Sequence, residues 1–271
     1  MRPPLVDELE RGGARQFIGT AGWTIPRADL AAFPESGSHL TRYARVLNAV
    51  EINSSFHRPH RRATYERWAQ SVPPAFRFSV KLPKEISHTR RLVDVTRMLA
   101  EFVDQSSALG EKLGAVLLQL PPSMAFDAGV AAPFLAALQH AFAAAGLPQV
   151  PVVCEPRHVS WFTPPAEACL ADSRVARVAA DPAIVPAAAL PGGWPGLAYW
   201  RWHGSPRIYR SRYDDEKLAE LRDRSGSADT QAPFWCIFDN TASGAANGDA
   251  LRLRSLCQGP DLGSVRASRR R

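Results

Sequence analysis

Cysteine is scarce in this chain. There are four in 271 residues, Cys154, Cys169, Cys236 and Cys257, and no two form a CxxC pair. That spacing argues against a disulfide framework or a Cys-based zinc site and fits reduced thiols in a cytoplasm. No stretch approaches 18 uninterrupted apolar residues, so no membrane span is expected. The opening MRPPLVDELERGG is polar and has no apolar signal-peptide core, so a cytoplasmic location is expected. HxH and HExxH spacings are absent as well, which removes two familiar signatures of a catalytic metal helix. Lysine supplies only four of the 33 basic residues (Lys81, Lys84, Lys112 and Lys217). Arginine replaces it alongside abundant alanine, a bias that a GC-rich genome produces.

The formal net charge of +7 raises the question of a polyanion partner. Residues 261–271 hold four Arg and one Asp, so the body of the chain carries only +4. A mildly basic body with a basic tail is weak ground for a nucleic-acid partner, which is kept as the alternative.

Short apolar or β-rich runs occur at 16–22, 48–53, 76–81, 114–120, 150–155, 175–180, 197–203 and 233–239. Between them lie amphipathic or Ala-rich segments near 38–47, 60–70, 94–110, 127–145, 165–172, 214–224 and 243–257. The link DPAIVPAAALPGGWPG after residue 180 offers at most a turn of helix. Eight strands alternating with helices predict parallel βα units closed into a single (β/α)8 TIM barrel. The expected organisation is a flexible arm over 1–15, the barrel domain over 16–258 and a disordered basic tail over 259–271.

Active sites of such barrels sit at the C-terminal ends of the strands, and the polar residues of this chain gather there. The second run ends in Glu51 and Asn53, and the third puts Arg77, Ser79 and Lys81 on one face. Gln119 ends the fourth. Glu155 ends the fifth and is followed by Arg157 and His158. Asp181 follows the sixth, Tyr199, Arg201 and His203 share a face of the seventh, and Asp239–Asn240 end the eighth. Any one of these residues could belong to a static ion pair. A whole rim of them points to a site, because buried charge is costly unless paired or used.

The chain resembles the family catalogued as domain of unknown function 72, also called YecE-like. The resemblance runs from about residue 17 to 257, through IGTAGW, YARVLNAVEINSSF, FRFSVKLPKEISHTRRL, LGEKLGAVLLQLPPSM and VVCEPRHVSWF. It continues in YWRWHG with Tyr209 and Tyr213 beyond it, and in FDNTASGAANGDALRL. The resemblance implies a TIM barrel with a polar pocket at the strand C-termini and no settled reaction. Members are likened to barrels of the endonuclease IV and xylose isomerase type, which is a fold-level analogy. Two departures stand out: His57 replaces the family's usual Tyr, and RADLAAF (27–33) lacks its usual aromatics.

For chemistry, Glu51, His57, His88, Glu155, His158, His203 and Asp239 are the available metal-ligand types, so a divalent metal is one possibility. Cations beside the carboxylates compete with a metal, and metal-free acid–base chemistry with no cofactor is the favoured expectation. In that reading Glu155, His203, Glu51, Lys81 and Asp239 are catalytic, with Glu155 as general acid or base and His203 titrating in the useful range. Lys81, Arg201 and Arg157 would clamp an anionic group. Trp23 and Trp161 would wall the pocket, and Asn53, His57, His88, Gln119, Tyr209, Tyr213 and Asn240 would complete the substrate contacts. A Schiff-base role for Lys81 has no second feature in the sequence to support it. Arg58, Arg61 and Arg62 near the rim read as a solvated face, with phosphate contact as the minority reading. The start of the last helix (241–248) is a possible anion seat. The expected partner is a small anionic, hydroxyl-rich metabolite, phosphorylated or sugar-like, acted on by a lyase, isomerase or hydrolase. A nucleic-acid-binding or nucleic-acid-processing barrel is the alternative.

Overall fold

A computed structural model of the chain describes residues 9–11, 14–225 and 232–258. The expected basic tail over 259–271, and the expected arm in part, lie outside the described residues. Among the described residues eleven strands and seven α-helices succeed one another: β1 (Leu9–Arg11), β2 (Ala14–Ala21), α1 (His39–Tyr43), β3 (Ala49–Ile52), α2 (Arg62–Gln70) and β4 (Arg77–Lys81). Then come α3 (Thr96–Ser106), β5 (Leu113–Gln119), α4 (Ala128–Ala144), β6 (Val152–Glu155), α5 (Pro164–Asp172), β7 (Val175–Arg177) and β8 (Ala179–Asp181). The last are β9 (Gly192–Gly193), β10 (Ala198–Trp202), α6 (Asp215–Ser225), β11 (Phe234–Phe238) and α7 (Ala245–Gln258).

Local chemistry accounts for the helix boundaries. Ser38 caps α1 by accepting the Thr41 N–H at 3.2 Å, and Asp127 caps α4 by accepting that of Gly129 at 2.8 Å. Two prolines open α5, where missing N–H groups cost nothing. In α3, Leu99, Phe102, Val103 and Ser106 recur at helical spacing and are the buried face.

The strands form one mixed α/β barrel-like sheet in the order β8-β10-β11-β2-β3-β4-β5-β6-β7-β9, with β1 on the edge of β2. Pairing is parallel except for β1 with β2 and β7 with β9. The ring is nearly closed. Its two ends are β8 and β9, and Val178 alone separates β7 from β8 in the chain. The run expected as a sixth strand over 175–180 is therefore two strands. Its first half pairs with β6 and its second with β10, and the Val178 N–H donates to Cys154 O at 2.8 Å. Within the expected arm, Leu9–Arg11 pairs antiparallel with 14–16. The Pro/Ala/Gly link carries one 3-10 turn, Pro186–Ala189, as its composition suggested. Among the described residues no helix is long and apolar enough to cross a membrane.

Strand alternation separates two cores. Ile18, Val50, Phe78, Val116, Leu118, Cys154, Trp200, Trp202 and Cys236 face the helices. A second cluster fills the barrel itself: Phe17, Ala49, Ala115, Leu117, Val153, Ala176, Val178, Tyr199, Trp235 and Ile237 among others. Here Trp235 stacks on Tyr199 (centroids 5.6 Å, planes 12° apart) and lies 4.8 Å from Phe17. Small residues at 49, 115 and 176 leave room for these rings. A Cβ at Gly114 would stand 2.6 Å from a Trp235 ring carbon, so the sequence needs glycine there. This apolar plug closes the barrel from below and sets the floor of the polar layer above it.

Replacing Trp235 by Ala should lower stability by about 3–5 kcal/mol, read as a fall in the urea denaturation midpoint. Trp235→Phe should lose clearly less. Equal, small losses in both would mean that the ring does not carry the plug.

Candidate active site at the barrel mouth

Beyond the plug, interior positions become charged at the ends of β3, β4, β6 and β10, with Glu51, Lys81, Glu155 and Arg201. Arg201, on β10, is fully buried and makes four hydrogen bonds to three carboxylates. Its Nε and Nη2 hold the two oxygens of Glu51 (β3) at 2.9 and 2.7 Å. Its Nη1 holds Glu155 Oε2 (β6) at 2.5 Å, and Nη2 also reaches Asp239 Oδ2, just past β11, at 3.0 Å. A flat guanidinium with five N–H donors can tie three strands at once, which a lysine ammonium cannot do in this geometry. Burial works against the charge of Arg201, yet Glu155, Glu51 and Asp239 raise its pKa well above the ordinary value. Tyr199 joins from below, its hydroxyl donating to Glu51 Oε2 at 3.2 Å and accepting from Ser79 Oγ at 2.9 Å.

His203 is the next interior residue beyond Arg201. Its Nδ1 lies 3.0 Å from Asp239 Oδ2, an acceptor, and so carries a proton. Its Nε2 has two competing neighbours, Glu155 Oε1 at 2.9 Å and Arg157 Nη2 at 2.8 Å. The nitrogen can donate to the first or accept from the second, but not both. Arg157 Nη2 also touches Glu155 Oε1 at 2.5 Å. Burial pushes the Glu155 carboxyl up, but Arg201, Arg157 and His203 outweigh it and hold the pKa well below the usual range. Asp239 is held low in the same way by Arg201 and the His203 hydrogen bond against its burial. The Tyr209 ring stands edge-on over His203, with centroids 5.7 Å apart. Its backbone adopts φ 66°, a left-handed conformation unusual for tyrosine, held by its N–H on His203 O at 2.5 Å.

Lys81 ends β4 on the same interior face as Ser79, and only 6% of it is exposed. Among the described residues its Nζ makes no hydrogen bond and no salt bridge. It rests over the Phe56 ring, 4.2 Å from the centroid. Burial, with the Arg201 charge added, lowers its pKa to about 8, against the opposing pull of Glu51, Glu155 and Asp239. On the neighbouring strand, the Asn53 side-chain Oδ1 is buried without a donor, and so is Arg157 Nε without an acceptor.

The structure thus joins Glu51, Glu155, Arg201, His203, Asp239 and Arg157 in one hydrogen-bonded cluster with Lys81 beside it. Other expected contacts sit farther out. His88 and His57 lie edge-on to Phe56, at 5.0 and 5.1 Å, and His57 is exposed. Gln119 pairs in register with Glu155 at the end of β5. Trp23 packs on Trp68 of α2 at 4.9 Å, against the outer core. Three expectations need correction. Trp161 does not wall a pocket: it is 1% exposed, donates to Met124 O at 3.0 Å and packs on Phe126. Tyr213 is consumed structurally, donating to Asp181 Oδ2 at 2.7 Å while accepting from the Gly204 N–H at 2.7 Å. Arg201 has no face left for a substrate anion. Asn240 Nδ2 ties Ser211 O and Asp249 Oδ2, at 2.8 and 2.7 Å, and leaves its Oδ1 without a donor. Near the start of α7, where an anion seat was expected, the buried Asp249 carboxylate takes these bonds. His158 turns away to Ser160, and Arg62 is held by Glu66 and Asp104. Phe56, Ser79 and Tyr199 were missed as site residues. Period-2 alternation already put Ser79 and Tyr199 on the faces of Lys81 and Arg201, whereas nothing in the sequence marked Phe56.

A metal does not fit this cluster. Arg201 stands where a cation shared by the three carboxylates would have to be. Both ring nitrogens of His203 face a carboxylate, Nδ1 toward Asp239 and Nε2 toward Glu155, so neither is left to ligate a metal. Among the described residues no other group of three or more His, Cys, Asp or Glu forms a metal site.

Removing one partner from a buried charge cluster costs about 3–5 kcal/mol, and Arg201→Met should lose that much at pH 7. Glu155 and Asp239 have folded pKa values below their unfolded ones. Their pairing therefore stabilises the native protein above about pH 5 and is lost as pH falls through the depressed values. In Arg201→Met those carboxylates take up protons instead, so the deficit measured by urea denaturation should narrow from pH 8 to pH 5. A constant deficit would contradict the geometry. Lys81 has the opposite sense, with a folded value below the unfolded one. The native protein should gain stability as pH rises from about 8 to 10, a gain absent in Lys81→Met.

Comparison with known proteins places this geometry in a family. The chain matches UPF0759 protein YecE of Escherichia coli at 30% identity over 105 residues, 39% of this chain and 37% of that protein's length. A DUF72 family protein from Enterococcus faecalis superposes with a TM-score of 0.74 at 19% identity, covering 91% of this chain and 96% of the other. One from Thermotoga maritima gives 0.72 at 21% identity, covering 90% and 99%. A sugar phosphate isomerase/epimerase from Parabacteroides distasonis shares the fold at 0.53 and 12% identity, covering 90% and 94%. The family model described as "Protein of unknown function DUF72" matches residues 17–269, and the chain belongs to that family.

Proposed function

We propose that this protein is an enzyme that moves protons on a small, hydroxyl-rich, anionic substrate, phosphorylated or sugar-like, as an isomerase, lyase or hydrolase. In this reading the sheet is a (β/α)8 barrel with β7 and β8 as one interrupted strand. The observation that carries the reading is the contested His203 Nε2, bracketed by Glu155 and Arg157 within 2.9 Å. A proton there has two stable descriptions separated by a small side-chain movement, which suits a group that alternately takes and gives one. Asp239 fixes the imidazole tautomer from the far side. Glu51, Tyr199 and Arg201 hold the pair in place without meeting substrate.

Binding then falls to groups with unused valence. Arg157, whose side chain is 14% exposed, keeps its Nε free to meet an anionic oxygen. Asn53 Oδ1 can accept a substrate hydroxyl proton, and Lys81 faces a further oxygen. Tyr209, 43% exposed, roofs His203 and would have to yield to a ligand.

Incubation in heavy water with a panel of aldose and ketose phosphates and hydroxy acids, with NMR as the readout, should reveal exchange of a C–H proton. Glu155→Gln and His203→Gln should each slow that exchange by about 100-fold or more while circular dichroism shows them folded. Exchange at the native rate in both folded variants would remove the proton-transfer role.

A further inference from the structure

We propose that Lys81 is a carbonyl-capturing amine, which adds to the aldehyde or ketone carbon of a small hydroxy-carbonyl substrate and forms a Schiff base. The inference deepens the proton-transfer reading of the same site and rests on it for the steps after capture. Three features of the mouth point to it. First, Lys81 is almost fully buried, yet among the described residues its Nζ has no hydrogen-bond acceptor; its neighbour is the Phe56 ring at 4.2 Å. A buried ammonium without a counter-ion is unfavourable, so the site raises the share of neutral amine above that of an exposed lysine. Second, the carboxylates that could have paired with it are engaged elsewhere: Glu51 and Asp239 by Arg201, Glu155 by Arg201 and Arg157. Third, Ile52 pairs in register with Val80, so Lys81 at the end of β4 and Asn53 just past β3 follow paired residues of adjacent strands. One has an acceptor atom unused and the other an amine unused, and they do not satisfy each other. A hydroxy-carbonyl compound supplies the complement of both, with its hydroxyl on Asn53 Oδ1 and its electrophilic carbon at Nζ.

An inorganic anion is not singled out at Nζ. Glu51, Glu155 and Asp239 act on Lys81 against the Arg201 charge, so a phosphate placed there would meet repulsion as well as attraction. A neutral carbonyl meets neither. The step balances without any further reagent. The Nζ lone pair forms a C–N bond as the C=O π bond opens, and the proton shed by nitrogen goes to the new oxygen, giving a carbinolamine. Protonation of that hydroxyl, by one proton drawn from solvent water, releases water and leaves a protonated C=N iminium, whose positive charge acidifies the neighbouring C–H. The Glu155–His203 pair is then the base that takes it.

The test uses the full chain with dihydroxyacetone or glyceraldehyde as probe, sodium borohydride as trap, and peptide mass mapping. The other three lysines are internal controls, since Lys84 is exposed, Lys112 donates to Ala69 O and Val72 O, and Lys217 pairs with Glu220. The expected result is a reduced adduct at Lys81 formed at least about 10-fold faster than at Lys84 at pH 7, half-maximal near pH 8. Glu155→Gln should keep this adduct, because capture precedes proton abstraction, while losing C–H exchange. Lys81→Met should lose both. An adduct spread evenly over the four lysines overturns the proposal. So does C–H exchange by a native protein that is never trapped at Lys81, which leaves the proton-transfer reading standing. Trapping at Lys81 without any C–H exchange supports capture and sinks the proton-transfer reading alone. If inorganic phosphate raises the melting temperature of the native protein but not of Lys81→Met, and no adduct forms, Lys81 is an anion seat and the proposal fails.

Discussion

The guanidinium of Arg201 holds three carboxylates from three different strands in one plane of contacts, and the mouth of the barrel is built around that arrangement. Each partner is buried, so each would be costly alone, and each is compensated only if its strand arrives in register. A one-residue slip of β3 or β6 would turn Glu51 or Glu155 toward the helices and leave buried charge without a partner. The cluster therefore specifies strand register as well as local charge. It also occupies Arg201 and Glu51 with each other, and so leaves unused valence farther out, at Arg157, Lys81 and Asn53.

Layering makes this possible. Below the charges, Phe17, Tyr199 and Trp235 fill the barrel with rings, and alanines at 49, 115 and 176 accommodate them. Tyr199 belongs to both layers: its ring stacks in the plug and its hydroxyl bonds to Ser79 and Glu51. Water is kept from beneath the cluster, and dipoles and charges there are fixed before any substrate arrives. Preorganisation of this kind lets a site stabilise developing charge without reorganising at the moment of reaction.

Much of this was legible in the chain. Alternation of residue type gave the eight β runs to within a few residues, because a strand with one face on a plug and the other on helices must alternate in side-chain direction. It also gathered Glu51, Lys81, Glu155, Arg201, His203 and Asp239 at one end. Their division of labour was not legible. Arg201 read as an anion clamp until its four hydrogen bonds to carboxylates were visible, and Trp161 and Tyr213 read as pocket residues although loops far apart in sequence enclose them. The interruption of the sixth run at Val178 was equally hidden, since it depends on which neighbour each half-strand meets.

The sequence by itself determined the periodicity, the order of strands and helices, the scarcity of cysteine and the strand-end placement of the charged residues. These arise from local alternation and composition. Only the tertiary structure decided which charges neutralise one another and which keep unused valence. Pairing in a low-dielectric interior depends on distances between side chains 38 to 150 residues apart in the chain, as in the bonds of Arg201 to Asp239 and Glu51. Lys81 and Glu51 look equally available in one dimension. In three, Glu51 is fully bound and Lys81 is not, because the planar fork of Arg201 reaches the carboxylates first.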